Sequence, residues 1–124
     1  MFLDRSQTAE ARAADIVGRL TLEEKVMLMM FESPAVERLG IPAYNWWNEA
    51  LHGVARNGNA TVYPMPIGMA ASFDDQLLRE VFSSVSDEAV IKYRIARQEG
   101  RGAGWYEGLS FWTPNINIFR DPRW

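Results

Sequence analysis

The sequence predicts an α/β fold with a parallel sheet, and three observations carry that reading. Residues from about 75 to 98 hold one continuous apolar stripe at helical spacing: Leu77, Leu78, Val81, Phe82, Val85, Ala89, Tyr93 and Ala96. Short runs rich in aromatic and β-branched residues lie on either side of it, at 43–47 before and at 109–112 and 115–118 after. A strand–helix–strand order implies a parallel pair joined by a crossover helix.

Each element has a local cause. Residues 8–20 are alanine-rich, and Ala9, Ala13, Ile16, Val17 and Leu20 fall on one stripe, so a helix is expected there. Thr21-Leu22-Glu23-Glu24 has the spacing of a capping box: the threonine hydroxyl accepts from the amide of Glu24, whose carboxylate returns the bond. Val26, Met27, Met30 and Phe31 continue an apolar face, and the Met27, Met29, Met30 cluster is expected to fill core. That helix should stop before Pro34, because the residue preceding a proline avoids helical geometry. Leu39-Gly40-Ile41-Pro42 reads as a turn into the aromatic run at 43–47, a short buried strand. Gly53, Asn57, Gly58 and Asn59 mark a loop, and Pro64, Pro66 and Gly68 keep any strand after it short. Ser72 or Asp74 can cap the long helix and Gly100 can end it, with Glu88 and Lys92 as an i,i+4 pair on its wet face.

Composition narrows the function. The chain has 124 residues, the size of one ordinary domain, and hydrophobic residues make up 48% of it. A net charge of −3 argues against a nucleic-acid partner, which calls for a basic patch. No cysteine is present, so disulfides and thiolate metal sites are excluded, and the single histidine, His52, cannot form a histidine cluster. The first twenty residues carry charges throughout and do not read as a signal peptide, and no apolar run is long enough for a membrane helix. A cytoplasmic protein with no membrane partner is the expectation; a start further upstream would make it secreted or periplasmic. Five tryptophans stand out: Trp46, Trp47, Trp105, Trp112 and Trp124, the last at an unusual place for a chain to end.

Four ordered motifs then become specific. Residues 44–53, YNWWNEALHG, resemble the first strand and loop of the β-xylosidases of glycoside hydrolase family 3. Thr61-Val62-Tyr63-Pro64 with the IGMAASFD run at 67–74, the Ser86-Asp87-Glu88-Ala89 run on the long helix, and PNINIFRDPRW at 114–124 resemble the stretches that follow in that family. The resemblance covers the chain from Thr21 on. It implies an amino-terminal (β/α)8 TIM-type barrel, of which a full one needs about 250 residues, so residues 1–124 would be the front part only. It also implies that the catalytic residues, a nucleophilic Asp and an acid/base Glu, lie downstream of Trp124, leaving none here. The activity implied is removal of terminal non-reducing β-linked sugars, foremost xylose from xylo-oligosaccharides, by a retaining two-carboxylate mechanism with neither cofactor nor metal.

Substrate-binding residues follow from the same resemblance. Glu49 stands where the family carries an acidic side chain that grips sugar hydroxyls, as a carboxylate can through two charge-assisted bonds. Glucosidases more often carry Asp there; Glu reaches about 1.5 Å further, into space a hexose hydroxymethyl group would need, which favours a pentose. Trp47 precedes Glu49 by two, so in a strand both would face one site, with Trp46 turned into the core. Trp112 stands where the resemblance places an aromatic wall of the same subsite, although by periodicity alone Trp47 and Trp112 also fit a core. His52 fits a hydrogen-bonded loop brace better than a general base. Arg120, Asp121 and Arg123 fit a local ion-pair brace, and Asn59-Ala60-Thr61 is a formal glycosylation sequon. Three readings stay open: the recognition end of a hydrolase, a sugar-binding protein without chemistry, and an inactive truncated chain whose open edges invite self-association. The partners expected are a small oligosaccharide and the rest of the barrel.

Overall fold

A computed structural model describes residues 2–101 and 104–113. The chain divides into two compact units, Met1–Ala43 and Tyr44–Trp124.

The first unit holds helix α1 (Ala9–Arg19), helix α2 (Leu22–Leu28), the two-residue strand β1 (Glu32–Ser33) and a 3-10 turn at Glu37–Leu39. The Thr8 side chain accepts from the amide of Ala11 to start α1. The capping box starts α2 as its spacing predicts: Glu24 N donates to Thr21 Oγ1 at 3.2 Å, and Thr21 N donates to Glu24 Oε2 at 2.8 Å. Arg38 binds both carboxylate oxygens of Glu24 and donates from Nη2 to the Arg19 carbonyl at 2.9 Å, which clamps the joint between the two helices. That guanidinium, together with the Thr21 amide, holds the Glu24 carboxyl below its usual range. The turn after Leu39 brings Val36 and Ile41 into a two-bond antiparallel bridge. Leu20 and Val36 are buried, but the methionine cluster is not core: Met27, Met29 and Met30 are 50%, 85% and 54% exposed. Helix α2 ends at Leu28, so Met29 and Met30 leave its apolar face, and the Ser33 hydroxyl closes the end by donating to the Leu28 and Met30 carbonyls.

The second unit is built on helix α4 (Asp75–Gln98), with strand β2 (Tyr44–Asn45) and the short helix α3 (Pro66–Ala70) before it. The bounds of α4 are those the apolar stripe predicts. The Asp74 side chain accepts from Leu77 N at 2.9 Å, and beyond the last turn Gly100 N and Arg101 N donate back to the Arg97 and Ala96 carbonyls, a Schellman ending. Val85 and Ala89 on its inner face form the core with Ala50 and Val54, and Ala60, Tyr63 and Phe111 pack against them. Helix α3 has no apolar period to announce it; its signal is Pro66 at the first helical position, whose missing amide is one that the helix would leave unpaired.

Other expectations also need correction. Glu88 and Lys92 do not pair with each other. Both Glu88 oxygens accept from Thr61 N, at 3.2 and 3.1 Å, and Lys92 Nζ donates to the carbonyls of Asn57 and Asn59, so the wet face of α4 holds down the loop before Tyr63. The strand expected at 43–47 is two residues long, and the one expected at 109–112 takes no ladder form. In place of a ladder, the Asn45 side chain accepts from Trp47 N at 2.9 Å and turns the chain, and the segment 108–112 is held largely by side chains of β2 and the residues after it. Trp46 is 43% exposed and lies edge-on to Tyr44 at 4.7 Å, rather than in the core. The expected strand at 115–118 and the Arg120, Asp121 and Arg123 brace lie outside the described residues. Among the described residues no helix is long and apolar enough to cross a membrane.

Candidate functional site

The loop 49–58 leaves β2 and folds back on itself, because Ala55 N donates to the Glu49 carbonyl at 2.9 Å. It turns again at Gly53, whose φ is +129° and whose α-carbon sits so close to Thr61 that a β-carbon would lie 2.2 Å from the Thr61 carbonyl oxygen. His52 locks this crossing from both sides. Its carbonyl accepts from Tyr63 N at 2.8 Å, and its Nδ1 lies 2.9 Å from the Tyr63 carbonyl. A carbonyl can only accept, so Nδ1 carries the proton. Tyr63 in turn donates to Ser84 Oγ on α4 at 2.8 Å. His52 therefore braces the loop.

Beside this crossing lies a cavity of about 690 Å3 whose lining includes Glu49, His52, Arg56, Val62, Met65 and Trp112. Such a volume is within the roughly 300–1,000 Å3 of small-molecule sites, and the lining has the usual character: mostly apolar wall with a few polar groups. Glu49 is half-buried and Trp112 is 53% exposed, so both present surface to a ligand.

Of the three expected binding residues, the structure brings Glu49 and Trp112 to the same cavity. Trp47 is not among its lining residues. Strand β2 ends at Asn45, so the alternation that would put Trp47 and Glu49 on one face has no strand to act through. The Trp47 ring instead packs against Trp112, with centroids 4.5 Å apart, and stacks on Trp105 at 5.5 Å and 29°. Three indoles thus form one block with Trp112 at its cavity end, a geometry that holds the Trp112 plane by dispersion and quadrupole contacts.

Sequence reasoning missed two residues. Arg56 lines the cavity with a left-handed φ of 57°, its guanidinium 5.7 Å from the centre of the Tyr106 ring. Asn48 is fully buried and hydrogen-bonds three separate backbone groups through its amide. Position 48 inside an aromatic-rich run was the one available signal: an asparagine between large apolar residues must find partners if it is buried.

No protein-family model matches this chain. It is 53% identical to a xylan 1,4-β-xylosidase of Xylanibacter ruminicola over 118 residues, which is 94% of this chain and 14% of that protein. Over nearly its whole length the chain is thus similar to part of a β-xylosidase. A probable exo-1,4-β-xylosidase of Aspergillus flavus is 46% identical over 98% of the chain and 16% of its own length. A β-xylosidase/α-L-arabinofuranosidase of Medicago sativa subsp. varia is 45% identical over 99% of the chain and 16% of its own length. Among solved structures, a family 3 exo-β-xylosidase in complex with a xylobiose aziridine activity-based probe superposes with a TM-score of 0.62 at 36% identity, over 71% of this chain and 12% of that one. The chain thus spans about a seventh of the length of the curated relatives it matches.

Proposed function

We propose that this chain is the sugar-recognition front of a family 3 β-xylosidase, residues 1–124 forming the amino-terminal part of its (β/α)8 barrel. The observation that carries the reading is the meeting of Glu49 and Trp112 on one cavity, from segments more than sixty residues apart. A carboxylate that accepts from two neighbouring hydroxyls and an indole against the C–H face of the ring are what a terminal pyranose needs. Trp47 contributes by backing Trp112.

In this reading Glu49 fills the space of a hexose hydroxymethyl group, so the terminal sugar is xylose. The substrate is a xylo-oligosaccharide, and the chemistry is a retaining double displacement by two carboxylates from later barrel strands. Those strands would also cover the apolar side chains that this chain leaves open, Leu22, Met29 and Val62 among them. That the relatives are named β-xylosidases supports the substrate class.

Xylobiose should therefore produce a saturable change in tryptophan emission, because Trp112 is in the cavity wall. The measurement is a fluorescence titration at sugar concentrations up to tens of millimolar. No response, from a chain whose circular dichroism shows its helices intact, would overturn the reading.

A further inference from the structure

Glu49 and Trp112 reach the cavity from two segments that share no strand ladder, and one residue joins them. Asn48 is 0% exposed. Its Oδ1 accepts from Gly108 N at 2.7 Å, and its Nδ2 donates to the carbonyls of Ser110 at 3.1 Å and Asn45 at 3.2 Å. Its own carbonyl accepts from Trp112 N at 2.9 Å. One residue therefore holds positions 108, 110 and 112 of an extended segment, alternate residues that an adjacent strand would otherwise hold with several of its own. Gly108 permits the approach: a β-carbon there would lie 2.6 Å from Tyr44 Oη and 2.7 Å from Asn48 Nδ2. The next contact continues the seam, with Ala50 N donating to Thr113 Oγ1 at 3.3 Å.

Glu49 thus sits between two residues, Asn48 and Ala50, that are each tied to the segment carrying Trp112. We infer that Asn48 is a positioning residue: its buried amide sets the distance and angle between the Glu49 carboxylate and the Trp112 indole, and so sets the affinity of the cavity for a terminal pentose. The second clause of that inference rests on the function proposed above; the first does not.

Among the described residues no other side chain combines these properties. Tyr44 Oη also receives two amides of the same segment, Leu109 N at 2.8 Å and Ser110 N at 3.1 Å, but these bonds stop two positions short of Trp112 and Tyr44 does not adjoin Glu49. Asp would keep the acceptor for Gly108 and turn an oxygen toward two carbonyl oxygens. Ala would remove all three side-chain bonds and leave buried partners unpaired.

The test is Asn48→Ala, read by near-ultraviolet circular dichroism and by xylobiose titration, both well below the melting transition. Indoles with centroids 4.5 and 5.5 Å apart should couple, so the wild type is expected to show an indole couplet that reports the Trp47–Trp112–Trp105 block. The variant should lose most of that couplet, keep the far-ultraviolet signal of its helices, and bind xylobiose about tenfold more weakly, the loss of about one net hydrogen bond to the sugar. If Asn48 serves stability alone, the melting temperature falls while couplet and affinity stay at wild-type values, and the inference is overturned. If the wild type itself does not bind xylobiose, the proposed function fails, and the couplet still decides whether Asn48 positions Trp112. Should Asn48→Ala not fold, Asn48→Asp carries the same two measurements, since it preserves shape and the Gly108 bond.

Discussion

Gly53→Ala should destabilise the second unit by about 3 kcal/mol or more, the top of the range for a single strained residue. Two independent causes act at that position. The φ of +129° lies where a β-carbon is disfavoured by its own backbone, and the added carbon would meet the Thr61 carbonyl oxygen at 2.2 Å. The loop cannot relax by moving away, because His52 and Tyr63 bond each other at 2.8 and 2.9 Å immediately beside the crossing. To accommodate alanine, both bonds must lengthen, and the cavity floor moves with them. In urea the midpoint should fall with the slope unchanged, since the same surface is exposed on unfolding. A midpoint within about 0.5 kcal/mol of wild type would mean that the crossing of the two loops is looser than the structure has it.

Glu49→Ala should leave stability nearly unchanged and weaken xylobiose binding by about 10- to 100-fold. Among the described residues the half-buried Glu49 carboxylate makes no side-chain hydrogen bond, so its removal leaves no partner there unpaired. What would be lost is net charge-assisted bonding to the sugar worth roughly 1.5–3 kcal/mol, or about 10- to 100-fold in affinity. Glu49→Asp separates grip from shape. The shorter acid keeps the charge, retreats by about 1.5 Å, and should narrow the preference for xylobiose over cellobiose. Isothermal titration of the two disaccharides against the two variants gives both quantities. Equal affinities in wild type and Glu49→Ala would remove Glu49 from the site.

The parts of this structure that were legible in the sequence are those with local causes. Helix α4 begins at Asp75 and ends at Gln98 because an Asp cap precedes it, an apolar stripe runs through it and a glycine follows it, all within one window of residues. The capping box at Thr21 is legible for the same reason: both partners lie within four positions. Strands were overread because an aromatic run states only that a pleated, half-buried surface would suit it, whereas a ladder needs a neighbour that the run does not name. The stretch 109–112 found a side-chain amide instead. Glu88 and Lys92 show the same limit: helical spacing makes an ion pair available, and a loop with bare amides and carbonyls alongside outcompetes it.

The site was legible in part. Glu49 and Trp112 came from the resemblance, and the structure places both on one cavity; Trp47 was assigned a face by an alternation that stops two residues too early. Arg56 carried no signal, because its place depends on a left-handed backbone that nothing in its side chain requests. Asn48 was hidden in plain view inside a quoted motif, because its partners at 108 and 110 lie sixty positions away.

In the proposed function the cavity lined by Glu49 and Trp112 holds the terminal sugar of a xylo-oligosaccharide. The most direct test is a two-dimensional amide and indole NMR spectrum of the chain recorded as xylobiose is added. The expected result is a set of saturable shifts gathered on Glu49, His52, Arg56 and the Trp112 indole, with the signals of α1 and α4 unmoved. Shifts that gather elsewhere, or none at saturating sugar, would contradict it.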